Sequence, residues 1–123
     1  MDRIERFEDI IAWQKARSLT RDVYEATRQG TFSRDPALVS QVRRSAVSIM
    51  ANIAEGFERN RSTEFHQFLS VAKASCAELR SHFYVALDAG HLPRPEFDAL
   101  MASAEELARV IGGLRAAVAR NRP

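Results

Sequence analysis

The sequence predicts an all-α protein, folded as an antiparallel up-down-up-down four-helix bundle. Apolar residues recur three and four positions apart in four long segments, which is the period of one face of a helix. Glycine, proline and helix-capping residues separate those segments, and no segment alternates apolar and polar residues as a half-buried strand does. Because the predicted connections are only a few residues long, consecutive helices should lie side by side and run antiparallel.

The first two helices are predicted over residues 9–28 and 36–58. The apolar seam of the first helix alternates steps of four and three residues and consists of Ala12, Ala16, Leu19, Val23 and Ala26. Gly30 should end this helix, because glycine readily adopts the left-handed backbone that often follows one. Asp35 and Pro36 have the residue types of an N-cap and a first helical position.

The third and fourth helices are predicted over residues 63–89 and 96–119. Ser62 is the predicted N-cap of the third helix, and Gly90 and Pro93 should prevent its continuation. Gly112 and Gly113 weaken the fourth helix by about 1 kcal/mol each, so its C-terminal end is expected to fray.

The composition is that of an ordinary globular chain, with 46% hydrophobic and 28% charged residues in 123 positions. This length fits one domain over residues 1–123. A single cysteine excludes an internal disulfide and favours a reducing compartment. The charged N-terminus leads to no apolar run of signal-peptide or membrane-spanning length, so we expect a cytoplasmic protein without a membrane partner.

One face of the second helix carries short polar side chains where lysine and glutamate would be usual. This polar stripe follows the helical period and consists of Gln41, Arg44, Ser45, Ser48, Asn52, Glu55 and Arg59. Serine and asparagine are weak helix formers, because their side chains compete for backbone hydrogen bonds. Their presence favours a hydrogen-bonded seam that is buried or lies between subunits; a partly solvated face is the alternative.

The same segment carries a resemblance to a known family. It reads Gln41-Val-Arg-Arg-Ser-Ala-Val-Ser-Ile, then Asn52-Ile-Ala-Glu-Gly56 and Arg59. This pattern resembles the signature of four-helix bundle proteins encoded in intervening sequences of 23S rRNA genes, and the similarity runs from about Phe7 to Leu114. The accessory variability protein of diversity-generating retroelements is similar. The resemblance implies a homo-oligomer, a pentamer in the retroelement group, with nucleic acid and a reverse transcriptase as partners.

The first helix offers a second, bulkier stripe beside its apolar seam, formed by Ile10, Trp13, Thr20 and Tyr24. A four-helix bundle needs about one apolar stripe per helix. The surplus stripe either widens the contact with the core or forms a subunit interface, where tryptophan and tyrosine are enriched.

Basic residues outnumber acidic ones by 18 to 16, so the net charge is only +2 and its distribution matters more than its size. Residues 41–62 carry four arginines against two glutamates, and the segment from Leu114 onward carries arginines without acids. The candidate nucleic-acid-binding cations are Arg43, Arg59, Arg61, Lys73, Arg115, Arg120 and Arg122. Their repetition in a homo-oligomer would add up weak phosphate contacts; an ordinary solvated surface is the alternative.

The chain shows no catalytic, cofactor-binding or metal-binding pattern. Its three histidines are dispersed, Cys76 lies on an apolar stripe, and there is no phosphate loop or metal-ligand spacing. We therefore interpret it as a non-enzymatic, homo-oligomeric bundle protein that binds RNA or single-stranded DNA through a basic surface and needs no cofactor. The alternative interpretation is a protein–protein adaptor or scaffold with no nucleic-acid role.

Overall fold

Four long helices make up most of the computed structural model, which describes residues 3–121. They are α1 (Ile11–Thr27), α2 (Pro36–Glu58), α3 (Ser62–Asp88) and α4 (Arg94–Arg120), with 3₁₀ turns at Phe7–Asp9 and Phe32–Arg34. Each helix packs on the next, and α4 packs back on α1. The helices therefore close an antiparallel up-down-up-down bundle, and the predicted fold class is confirmed. Over residues 3–121 no strand is present.

The core lies between all four helices and is built from the predicted apolar stripes. Its central side chains are Ala12, Ala16, Leu19 and Val23 of α1, Val42, Ala46, Ile49 and Ile53 of α2, Leu69, Ala72, Cys76, Leu79 and Phe83 of α3, and Ala104, Leu107 and Ile111 of α4. Each large aliphatic side chain buried in this way stabilises the fold by about 1.5–3 kcal/mol. Small alanines alternate with these large residues, which lets the helices interdigitate.

The helix boundaries agree with the predictions to within about two residues, and the differences have local causes. The α2 helix starts at Pro36 as predicted, and the Asp35 side chain accepts a hydrogen bond of 3.2 Å from the Leu38 backbone N–H. The α1 helix starts at Ile11 rather than Asp9, because Ile10 keeps an extended backbone with φ −77° and ψ 122°. Ser62 was wrongly predicted as an N-cap; it is the first residue of α3.

The C-terminal ends of the helices lie within one residue of their predicted positions. Gly30 and Gly90 follow α1 and α3 with φ of +47° and +79°, the left-handed conformation that terminates helices. The α4 helix continues through Gly112 and Gly113 to Arg120, one residue beyond its predicted end. Leu114 and Val118, beyond the two glycines, pack against the core and hold this last part of α4 in place.

His91 joins the two loops at one end of the bundle. Its Nδ1 lies 2.9 Å from Thr31 Oγ1, its Nε2 lies 3.0 Å from Asp35 Oδ2, and its ring stacks on Phe32 with centroids 5.4 Å apart. An ionised carboxylate only accepts hydrogen bonds, so Nε2 is the donor to Asp35. The hydrogen bond from His91, followed by that from the Leu38 N–H, lowers the pKa of Asp35.

Candidate nucleic-acid interface

The polar stripe lies along the contact between α2 and α3. The buried Ser45 hydroxyl donates to a carboxylate oxygen of Glu78 at 2.7 Å. The Ser48 and Ser75 hydroxyl oxygens are 2.9 Å apart, and Asn52 Nδ2 donates to the Ser48 carbonyl at 2.8 Å and to the Ser48 hydroxyl at 3.1 Å. The Ser45–Glu78 and Ser48–Ser75 hydrogen bonds join α2 to α3 and set their register within one subunit, whereas Asn52 bonds within α2 and orients Ser48.

The ends of the polar stripe differ from its centre. Gln41 and Arg44 have exposed side chains. At the other end Glu55 forms the ion pair with Arg59 that the i, i+4 spacing favours, at 3.4 Å. Next to Glu55 the two helices pack closely, since a Cβ added at Gly56 would lie only 2.5 Å from Phe68 Cβ. The stripe therefore combines a hydrogen-bonded centre with solvated ends.

The second stripe of α1 faces α2 within the same chain. Ile10 is buried in the core, and Thr20 Oγ1 donates to the Ala16 carbonyl at 2.8 Å and lies 3.3 Å from the Ala46 carbonyl of α2. Tyr24 lies under the guanidinium of Arg43, whose carbon is 4.3 Å from the ring centroid. Ile10 thus contacts the core and Thr20 and Tyr24 contact α2, and a role of Trp13 and Tyr24 between subunits stays a prediction.

Three of the predicted cations are engaged with neighbouring side chains. Arg43 Nε donates to Thr27 Oγ1 at 2.9 Å, across the α1–α2 contact. Arg59 pairs with Glu64 at 3.5 Å as well as with Glu55, and its guanidinium lies over the Phe68 ring. Arg61 pairs with Glu64 at 3.7 Å. The turn between α2 and α3 is therefore less basic than its sequence suggests.

A second group of cations lies on α3 and α4. We call Lys73, Arg109, Arg115 and Arg120 the α3–α4 cation row. Lys73 Nζ would be 3.8 Å from a Cβ at Gly112, and Arg115 donates to the Ser70 hydroxyl at 3.2 Å. Among the residues described, no carboxylate lies within ion-pair distance of these four cations. Arg109 was not predicted, although it lies one helical turn before Gly112; Arg122 lies outside the described residues.

The opposite side of the bundle carries a second basic surface, which sequence analysis missed. An open cleft of about 780 Å³ on the outer side of α1 is lined by Arg6, Glu8, Trp13, Gln14, Arg17, Ser18 and Arg21. The Arg17 guanidinium lies 5.8 Å from the centre of the Trp13 ring. Residues 1–40 carry seven acidic and seven basic side chains, so a count of charge along the chain conceals this surface.

The α1–α4 side is acidic by comparison. Lys15 Nζ pairs with Glu106 at 2.6 Å, and this hydrogen bond together with the lysine charge lowers the pKa of Glu106. Further along, a shallow groove between the two helices is bordered by Asp22, Glu25 and Glu96. Because the helices are arranged in chain order around the core, the two basic surfaces lie on opposite sides of the bundle.

The structure offers little that resembles an active site. Cys76 is fully buried, its thiol donates to the Ala104 carbonyl at 3.2 Å, and burial raises the pKa of that thiol. Within residues 3–121 no three His, Cys, Asp or Glu side chains are grouped as metal ligands would be. None of the described helices is long and apolar enough to cross a membrane.

The fold and its surfaces define a class of all-α protein, a four-helix bundle with a polar α2–α3 seam and basic outer faces. Residues 8–113 match the family model of the 23S rRNA-intervening sequence protein, and the chain belongs to this family. The predicted family is thereby confirmed. The similarity to retroelement accessory proteins stays a prediction.

Comparison with solved structures finds chains of similar fold. One is a protein with unknown function from the S23 ribosomal protein family of Bacteroides thetaiotaomicron VPI-5482. The TM-score is 0.77 at 15% sequence identity, over 85% of this chain and 98% of that one, so the likeness concerns the fold alone. No curated protein matches the sequence.

Proposed function

We propose that this protein is a non-enzymatic, homo-oligomeric binding protein for nucleic acid, either RNA or single-stranded DNA. The observation that carries this proposal is the α3–α4 cation row, whose members have no carboxylate within ion-pair distance among the described residues. Of the four, Arg109 is close enough to Glu106 for its charge to help lower the pKa of that carboxyl. Gly112 lies between Arg109 and Arg115 in the sequence, and the Lys73 ammonium lies over it, 3.8 Å from where a Cβ would be. Phosphate oxygens accept charge-assisted hydrogen bonds from such cations without any readout of the bases.

Assembly is part of the proposal, because one subunit with a net charge of +2 holds a phosphate backbone weakly. Several copies of the row in one assembly would bind the same strand with a much higher combined affinity. Exposed apolar side chains on the outer side of α2 and α3 support contact between copies, since Val47 and Val71 are 41% and 49% exposed. Similarity to the retroelement proteins favours a pentamer, and a reverse transcriptase as a protein partner.

A protein–protein adaptor is the second candidate function, and an apolar groove favours it. The groove, about 360 Å³, lies beside the start of α1 and is lined by Ile4, Ile10, Ile11, Phe57, Phe65, Val110 and Leu114, among others. An apolar side chain from another protein would bury surface there and gain about 25 cal/mol per Å² of apolar area removed from water. This candidate does not require the basic surfaces to bind anything.

Fluorescence anisotropy with labelled single-stranded RNA or DNA, at several salt concentrations, tests the nucleic-acid proposal. Wild type should bind with a steep salt dependence. A variant with Lys73→Gln and Arg109→Gln should lose about 0.7 in the slope of log affinity against log salt per phosphate contact removed. Arg59→Gln with Arg61→Gln is the matched control, because it removes the same charge from groups already paired with Glu55 and Glu64.

The two variants separate the functions. A larger decrease in salt slope in the Lys73 and Arg109 variant than in the Arg59 and Arg61 variant supports phosphate binding by the cation row. Equal losses would show that only total charge matters, and no binding at low salt would reject the nucleic-acid proposal and leave the adaptor. Light scattering coupled to size exclusion tests assembly in the same samples, where a mass of 13.9 kDa at every concentration would refute the homo-oligomer.

A further inference from the structure

We propose that the cleft on the outer side of α1 binds single-stranded nucleic acid, with a base stacked on Trp13 and with arginines on the flanking phosphates. This inference rests on the proposed function and adds a second contact surface to it. It also specifies the form of the ligand, because a base can reach an aromatic ring only when it is free of a partner strand.

The charge of the cleft is the first observation. Three arginines line it, Arg6, Arg17 and Arg21, against one carboxylate, that of Glu8. Glu8 lies 3.5 Å from Arg6 Nε, and Arg21 has only a contact of 3.9 Å to its sequence neighbour Asp22. Arg17 has no carboxylate within ion-pair distance among the described residues. The cleft therefore presents an excess of positive charge suited to phosphate groups.

The aromatic ring within this charge is the second observation. Trp13 is half-buried, and Phe7 packs edge-to-face against it with ring centroids 5.2 Å apart and planes at 66°. That contact holds the indole in one position, so little conformational freedom is lost when a ligand stacks on it. Arg17 already lies over the ring at 5.8 Å, and a flat guanidinium also stacks on nucleobases.

The pairing of arginine and aromatic ring repeats further along the same side of the bundle. Tyr24 follows Arg21 by one helical turn, and the Arg43 guanidinium lies 4.3 Å from its ring centroid. The hydrogen bond from Arg43 to Thr27 fixes that guanidinium. Trp13 and Tyr24 are separated by three turns, roughly 16 Å along α1. A single strand running along α1 would meet two arginine–aromatic pairs in succession, whereas a duplex would offer only its phosphates.

Trp13 is the sole tryptophan of the chain and reports directly on its own site. We would titrate the full-length protein with an oligothymidine of about ten nucleotides, a length within the range of single-strand sites. Binding should quench the tryptophan emission with the same midpoint as the anisotropy change. An abasic strand of equal length keeps the phosphates, so it should bind more weakly and leave the emission nearly unchanged.

Two double variants with equal charge change locate the contacts. Arg17→Gln with Arg21→Gln should abolish the quenching and lower the salt slope by about 1.4 for two lost contacts. Lys73→Gln with Arg109→Gln should weaken binding and leave the quenching at saturation intact. A third variant, Trp13→Phe, keeps an aromatic ring against Phe7 and should bind several-fold more weakly. Circular dichroism melting checks that every variant is folded.

The outcomes separate this inference from the proposed function. If the oligonucleotide binds but the emission of Trp13 does not change, or changes equally with the abasic strand, base stacking in the cleft is refuted and the proposed function stands. If the Arg17 and Arg21 variant binds as wild type does, the cleft is likewise refuted. If neither readout detects binding at low salt, the proposed function and this inference fall together.

Discussion

Replacing Gly56 with alanine should destabilise the protein, because α2 and α3 leave no room for a methyl group there. The added Cβ would lie 2.5 Å from Phe68 Cβ and 3.2 Å from Phe65 Cδ1. Non-bonded carbon atoms are at their optimum about 3.5–4.0 Å apart, so the closest contact is short by roughly 1 Å. Both Cβ atoms are fixed to their backbones, and no rotamer change relieves the clash. The helices must move apart.

The magnitude follows from two opposing effects. Overpacking of this kind costs about 1–3 kcal/mol, whereas alanine favours a helix over glycine by up to about 1 kcal/mol. Separation of the helices would also lengthen the hydrogen bonds from Ser45 to Glu78 and from Ser48 to Ser75, now 2.7 and 2.9 Å. We expect a net loss of about 1–2 kcal/mol in the free energy of unfolding, and a Tm lower by roughly 5 °C.

Urea unfolding and thermal melting, followed by circular dichroism, measure this loss. Gly113→Ala is the matched control, since it adds the same methyl group to a helix at a position where nothing lies within 4 Å. That variant should be as stable as wild type or more so, by up to about 1 kcal/mol. If Gly56→Ala proves equally stable, α2 and α3 do not approach each other as closely as described, and the reasoning is refuted.

Three further predictions concern single side chains. Ser45→Ala should cost about 0.5–1.5 kcal/mol of stability in urea unfolding, because the hydrogen bond to Glu78 is lost; an unchanged midpoint would show that this bond contributes nothing. The depressed pKa of Asp35 means that its interaction with His91 stabilises the fold above the unfolded carboxyl pKa of about 3.9. Tm should therefore fall as the pH drops through the folded pKa, less so in Asp35→Asn, and parallel profiles would contradict this. Cys76 should react with a thiol-specific disulfide reagent only under unfolding conditions, and fast reaction of the native protein would contradict its burial.

The arrangement of helices was predictable because it depends on local signals. Periodic apolar residues and the Asp35-Pro36 start gave α2 its observed bounds. The predicted start of α1 at residue 9 was two residues early, because the extended backbone of Ile10 delays the helix to Ile11. The first residue of α1 therefore depends on the backbone conformation of Ile10, which cannot be read from residue type alone.

The surfaces were less predictable, because they depend on which helix faces become neighbours. Arg43 was predicted as a phosphate-binding cation, but its guanidinium donates a hydrogen bond to Thr27 of α1 and lies over the ring of Tyr24. Arg17 and Arg21 were not predicted because the seven acidic residues of positions 1–40 balance the seven basic ones in a count along the chain. Charge counted along a chain and charge presented by one side of a bundle are therefore different quantities.

The contacts of His91 with the opposite loop bear on the order in which the bundle forms. Thr31 and His91 are 60 residues apart in sequence, so closing that loop is entropically more costly than forming any contact within one helical hairpin. We therefore expect the two loops to meet late in folding, once the α3–α4 hairpin has docked on the α1–α2 hairpin. Interactions that form after the transition state slow unfolding without accelerating folding. Thr31→Val should accordingly raise the unfolding rate in stopped-flow experiments and leave the folding rate almost unchanged. That result would show that the contact between the two loops forms after the folding transition state.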